Sequence, residues 1–132
     1  MCIRKSLTYY FKGVKYLLKK KHDMDKEIRE KMMNGKGKVE ITHILKQEEL
    51  AGKCRMFAKV KLEPGASIGW HEHKNEEEIY YITQGKALVS DNGIEREIER
   101  GDVLLTNNGD GHFIKNVGNE IFEMIAIILL FS

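Results

Sequence analysis

Three histidines and one glutamate are the residues of this chain best suited to holding a metal. His71 and His73 stand two residues apart, and on a strand that spacing sends both side chains to one face. Glu78 opens the next β-forming run, residues 78–83, and His112 follows downstream. Adjacent strands lie close enough for all four to meet inside a barrel. Three imidazoles and one carboxylate form a nitrogen and oxygen donor set without thiolate, suited to Mn, Fe, Co, Ni or Zn. On an octahedral ion such a set leaves two cis positions for a bidentate carboxylate, an enediolate, or dioxygen beside a substrate atom. Lewis-acid or redox chemistry would occur there. The His-x-His pair alone is a weak signal, and it is not the zincin pattern, whose histidines lie four apart.

The rest of the chain must supply the strands. At 132 residues it has the size of one domain, and 42% hydrophobic with 32% charged residues is ordinary for a globular protein. The net charge of +2 conceals an asymmetry. Residues 1–22 hold seven of the 22 Lys and Arg and none of the 20 Asp and Glu, so the remainder is acidic. An acidic body argues against wrapping nucleic acid. There is no apolar run long enough to span a membrane as a helix. The start lacks a secretory pattern, and two cysteines, Cys2 and Cys54, form no CxxC pair. A cytoplasmic protein is expected.

Residues 1–37 read as a basic extension and lead-in helix, and 38–132 as the main domain. Within residues 1–22, Leu7, Tyr10, Phe11, Val14, Leu17 and Leu18 recur at three- and four-residue spacing among lysines, predicting a short cationic amphipathic helix interrupted by Gly13. It could be a foot for an anionic surface, a weakly ordered extension, or a stretch ahead of a start at Met24. Asp23 or Asp25 would cap a further turn or two of helix, ended by Asn34-Gly35.

Alternation then predicts short strands over 39–46, 54–63, 67–73, 78–83, 86–90, 94–100, 103–106, 112–117 and 121–131. Gly, Asn and Asp turns join them, with Asp91-Asn92-Gly93 a hairpin signal. With no helical spacers between strands the fold is all-β, and a closed or double-sheet barrel protects its edges best. His43 lies on the apolar face of the first strand, where a structural histidine fits better than a ligand. In 54–63, Met56, Ala58, Val60 and Leu62 share the apolar face. Arg55 and Phe57 fall on the other, unless a bulge or a partner subunit changes the parity.

At the histidines the sequence resembles the cupin superfamily. Gly65, His71, His73, Glu78 and Gly85 meet every position of its first motif. Gly101, Gly109, His112 and Asn116 meet the second, with Asn107 where proline is usual. The resemblance implies a double-stranded β-helix, the cupin jelly roll, carrying one divalent metal on His71, His73, Glu78 and His112, manganese first among the candidates. It further implies a homodimer, often made by exchange of N-terminal strands, a role suited to 39–46. The chain is most similar to the small one-domain cupins related to oxalate decarboxylase.

Two functions follow as expectations. One is a metal-dependent enzyme, of decarboxylase, dioxygenase or isomerase type, acting on a small carboxylate or other oxygen-rich metabolite. The other is a non-catalytic module that binds or senses such a molecule. Tyr80 shares a strand face with Glu78 and is the candidate to reach the cavity. Arg55 is the cation suited to a carboxylate. Phe57, Met56, Ile114 and Met124 are candidate pocket or rim residues, while Glu76 and Glu77 fall in the bend before Glu78.

Overall fold

The computed structural model describes residues 6–91 and 93–131, with Asp91 described by its backbone. Asn92 of the expected hairpin, Cys2 and the rest of residues 1–5 lie outside that range. Among the described residues 6–22, the expected short N-terminal helix does not form. Leu7–Phe11 and Val14–Leu18 are strands β1 and β2, paired antiparallel from Leu7↔Leu18 to Phe11↔Val14. Lys12 and Gly13 both take positive φ, 50° and 75°, the backbone of a two-residue hairpin turn. Apolar residues here satisfy both a three-to-four and a two-residue period. Aromatic and β-branched residues around a turn-forming glycine favour the second. The expected lead-in helix is also absent: Asp25–Glu30 is strand β3, followed by one 3-10 turn at Met32–Asn34.

The strands expected after residue 38 all form. They are β4 (Lys38–Leu45), β5 (Cys54–Leu62), β6 (Ser67–Glu72), β7 (Glu76–Gln84), β8 (Lys86–Asp91), β9 (Ile94–Glu99), β10 (Val103–Thr106), β11 (Gly111–Asn116) and β12 (Phe122–Leu130). One sheet has the order β10-β7-β12-β5-β4-β3 and the other β6-β11-β8-β9, with antiparallel pairing throughout. This is a double-stranded β-helix, a jelly roll. Alternation builds its core, because every second side chain of a strand faces inward. β12 buries Phe122, Met124, Ala126 and Ile128, and β11 buries Ile114 against Val89 of β8. Burying one such side chain contributes roughly 1.5–3 kcal/mol.

The glycines of the two motifs stand where the chain turns. Gly65, Gly85, Gly101 and Gly109 all have φ between 82° and 93°, a region that side chains with a Cβ resist. At Gly85 a Cβ would also lie 3.1 Å from the Ile121 carbonyl. Asn107 needs no proline geometry: its carbonyl accepts from the Asp110 N–H at 3.1 Å to close the loop. Asn116 is buried and satisfies three backbone groups. Its amide donates to Leu62 O at 2.9 Å and Glu120 O at 2.8 Å, and its Oδ1 accepts from Gly118 N at 2.9 Å. Asn116→Ala strands two carbonyls, so it is expected to cost about 2–4 kcal/mol and to lower Tm by roughly 10 °C in a thermal melt.

Candidate metal centre

His71 on β6 lies directly across from His112 on β11. His73 sits just beyond β6, held to the β10–β11 loop by His73 N→Asp110 O at 3.0 Å and Gly109 N→His73 O at 2.6 Å. Glu78 comes from β7 in the opposite sheet, paired with Thr106 of β10. The site therefore bridges the two sheets. His112 Nε2 is 2.9 Å from His71 Nε2 and 3.2 Å from His73 Nε2. Glu78 Oε1 lies 3.0 Å from His73 Nε2, 3.0 Å from His112 Nε2 and 3.8 Å from His71 Nε2. All four candidate ligand atoms lie within 4.8 Å of one another.

The opposite edge of each ring assigns its proton. His71 Nδ1 donates to Gly69 O at 2.8 Å and His73 Nδ1 to Glu76 Oε1 at 2.8 Å. Thr106 Oγ1, 2.6 Å from His112 Nδ1, is a hydroxyl that can accept in the same way. With the protons on Nδ1, each Nε2 turns a lone pair towards the others. Glu78 Oε1 is buried among them without a hydrogen-bond partner. Three imidazole nitrogens and a carboxylate oxygen converging this closely form a site for a cation, and their chemistry fits a divalent transition ion.

Electrostatics favour the same occupant. Burial pushes the Glu78 carboxyl up, but any surrounding imidazole that carries a proton on Nε2 pulls it further down, well below the usual carboxylate range, so the carboxylate stays charged and calls for a positive partner. Burial, helped by the neighbouring His71 and His73, drives His112 down towards the neutral ring against the opposing pull of Glu78. Burial also lowers His73, but Glu78 and Glu76 outweigh it and raise the ring above its usual value. Tyr80 is pushed well up by burial and by Glu78, so its phenol keeps its proton. That hydroxyl is 3.1 Å from His112 Nε2, and its ring stacks on His112 with centroids 4.7 Å apart.

A cavity of about 170 Å³ opens beside the cluster, bordered by His71, His73, Glu78 and Tyr80. Arg55 reaches it too, its guanidinium bound to Glu76 at 2.9 Å through both Nε and Nη2.

The cupin domain family matches residues 58–128. This chain is a cupin. It is 46% identical over 99 residues to an oxalate-binding protein of Thermotoga maritima, covering 75% of this chain and 82% of that protein. A solved Thermotoga maritima structure, described as a predicted oxalate decarboxylase, superposes with a TM-score of 0.80 at 42% identity. The match covers 84% of this chain and 96% of the other. The cupin domain of Cnp3 from Schizosaccharomyces pombe shares the fold at TM-score 0.71 and 14% identity, covering 97% of this chain and 89% of that one.

The cavity of this cupin takes some of the expected pocket residues and leaves others out. Tyr80, Met56, Met124 and Arg55 line it. Arg55 does so against its strand parity, because β5 bulges there: Met56 pairs with Ile128 and Cys54 with Leu129, leaving Arg55 as the extra residue. A bulge re-aims a side chain in this way. Phe57 and Ile114 do not line the cavity. Phe57 keeps the alternate face, opposite Leu45 and Ile127, and Ile114 is wholly buried in the core. His43 does line it, on the inward face its alternation predicted.

Arg29, Met32 and Met33 also reach the cavity. Their segment crosses β6 so closely that a Cβ on Gly69 would lie 2.0 Å from Met33 O. No periodic signal marked these residues: Met32 and Met33 lie in the 3-10 turn, and Arg29 is on β3, a stretch whose sequence read as helix. Glu76, read from the sequence as a bend residue, opens β7 and links Arg55 to His73. Its only sequence signal was its place three residues after His73.

Proposed function

We propose that this cupin holds one divalent transition metal, manganese first among the candidates, on His71, His73, Glu78 and His112, and that it uses the centre to bind a small carboxylate of the oxalate type. The observation that carries this reading is the buried, unpartnered Glu78 Oε1 facing imidazole nitrogens beside a small cavity. The oxalate-binding protein at 46% identity supports the choice of ligand class. When bound, the ion would supply Lewis acidity and open coordination positions for ligand oxygens. The chain supplies the remainder. Arg55 brings N–H groups left over from its pair with Glu76 to a carboxylate oxygen. Tyr80 offers a proton-bearing hydroxyl, and the methionines and isoleucines around the cavity keep bulk water out.

A second reading, catalysis, is favoured by Tyr80. Its buried hydroxyl stands within hydrogen-bond distance of a candidate ligand nitrogen, in position to deliver a proton to a ligand held beside it. The proposal includes a homodimer, checked by light scattering, and a cytoplasmic location, checked by cell fractionation.

Calorimetry with oxalate separates these possibilities. Manganese-loaded protein is expected to bind oxalate at least about tenfold more tightly than metal-stripped protein, and equal affinity would refute the metal-dependent reading. Formate and carbon dioxide should be measured on the same samples. Turnover that Tyr80→Phe abolishes while sparing binding would establish the catalytic reading, and no turnover on any small carboxylate would dismiss it. Metal also binds the folded state selectively. Chelation is therefore expected to lower Tm and manganese to restore it, by an amount equivalent to about 2.7 kcal/mol at one hundred times Kd.

A further inference from the structure

The β1–β2 hairpin carries an apolar face that nothing within the described residues covers. Its register places Leu7, Tyr9 and Phe11 beside Leu18, Tyr16 and Val14 on one side. All six are between 41% and 59% exposed, and the rings of Tyr9 and Tyr16 stack at 5.0 Å. The opposite side is tied to the barrel. Lys15 Nζ donates to Glu49 O at 3.0 Å, and Lys19 Nζ pairs with Glu49 Oε1 at 2.7 Å. At the base, Ser6 Oγ donates to Asp23 Oδ2 at 2.7 Å. The hairpin is thereby anchored with its apolar face outward. A two-stranded hairpin has little stability of its own, and contiguous exposed apolar surface marks an interaction site.

Charge indicates what covers it. Residues 6–23 carry five lysines and a single acid, Asp23, whereas residues 24–132 carry more acid than base. Lys12 stands at the turn, 5.6 Å from the Phe11 ring centroid. Pairing this face with the same face of a second copy would bring two lysine-rich hairpins together. An anionic lipid surface accepts both parts: tyrosine and phenylalanine suit the headgroup boundary, and each lysine near the surface adds attraction. We infer that the β1–β2 hairpin docks this cupin on anionic membranes, with Leu7, Tyr9, Phe11, Val14, Tyr16 and Leu18 against the lipid and Lys12 at the tip among its headgroups. This inference is independent of the metal centre.

The full chain should be sedimented with phosphatidylcholine vesicles containing about one third phosphatidylglycerol, and with phosphatidylcholine alone. Binding is expected to be at least about tenfold stronger on the anionic vesicles and to weaken steeply with added salt. Phe11→Ser and Lys12→Glu lie at the exposed tip. Each is expected to reduce binding severalfold or more, with the barrel's melting unchanged. Equal binding to both vesicles, no binding, or variants that bind like the wild type would overturn the inference. So would a dimer that Phe11→Ser converts to monomer, since a second copy would then occupy the face.

Discussion

Glu78→Gln is expected to lower metal affinity by more than about 100-fold without unfolding the barrel. The substitution keeps the shape and removes the charge that offsets a divalent ion among three neutral rings. Its effect on the metal-free protein is expected to run the other way. The new amide can donate to the Nε2 lone pairs of His73 or His112, each 3.0 Å from Glu78 Oε1, and so relieve the crowding of electron pairs. Metal-free Glu78→Gln should therefore melt at or above metal-free wild type, while metal-loaded wild type melts above both. Elemental analysis after gel filtration, with melts on the same samples, checks both parts. Full metal content at unchanged affinity in the variant would remove Glu78 from the ligand set.

Acid is expected to release the metal from wild type. An imidazole must be unprotonated at Nε2 to hold an ion, so protons compete with metal and affinity falls as pH falls. The loss should begin near the ordinary imidazole range, about pH 6.5, and continue below it. His73, raised by Glu78 and Glu76, takes up a proton at higher pH than His112, which burial lowers. Metal retention measured across this range should decline with falling pH and recover on neutralisation.

Arg55→Ala is expected to weaken carboxylate binding by at least about tenfold and metal binding by a similar factor. The two effects have separate causes. The guanidinium borders the cavity, where its loss removes a charged donor. It also grips Glu76 through two hydrogen bonds, and Glu76 in turn orients His73 through Nδ1. Partners that orient a ligating histidine are generally worth 10–100-fold in metal affinity. Arg55 holds Glu76 below the usual carboxylate range, with burial and His73 as lesser influences, which keeps the acceptor charged.

A series of variants separates these causes. Arg55→Lys cannot reproduce the two-pronged pairing and should recover little. Glu76→Ala should weaken metal binding more than carboxylate binding measured at saturating metal. Glu76→Gln, which retains an oxygen for His73, should fall between it and wild type. Chelator competition reads metal affinity, and calorimetry at saturating metal reads the carboxylate. Wild-type metal affinity in Arg55→Ala and Glu76→Ala would show that His73 is oriented without them.

The strands of the barrel were legible in the sequence because each buries one face, and a two-residue alternation between Gly and Asn turns has few other readings. The four-residue cluster was legible as well: His71 and His73 on one strand face, Glu78 singled out from three glutamates by spacing, and His112 placed by the second motif. The N-terminal segment was not, since ten or so apolar and basic residues match helical and strand periods equally until a turn at Lys12-Gly13 selects one. Tertiary structure alone brought Arg55 to the cavity, because a bulge is invisible to parity and depends on pairing with β12. It alone turned Glu76 from a bend residue into the orienting partner of His73, and it alone carried Arg29 and Met33 to the cavity. Periodicity records which way a side chain points from its own strand. Which groups share a cavity depends on where strands distant in sequence cross.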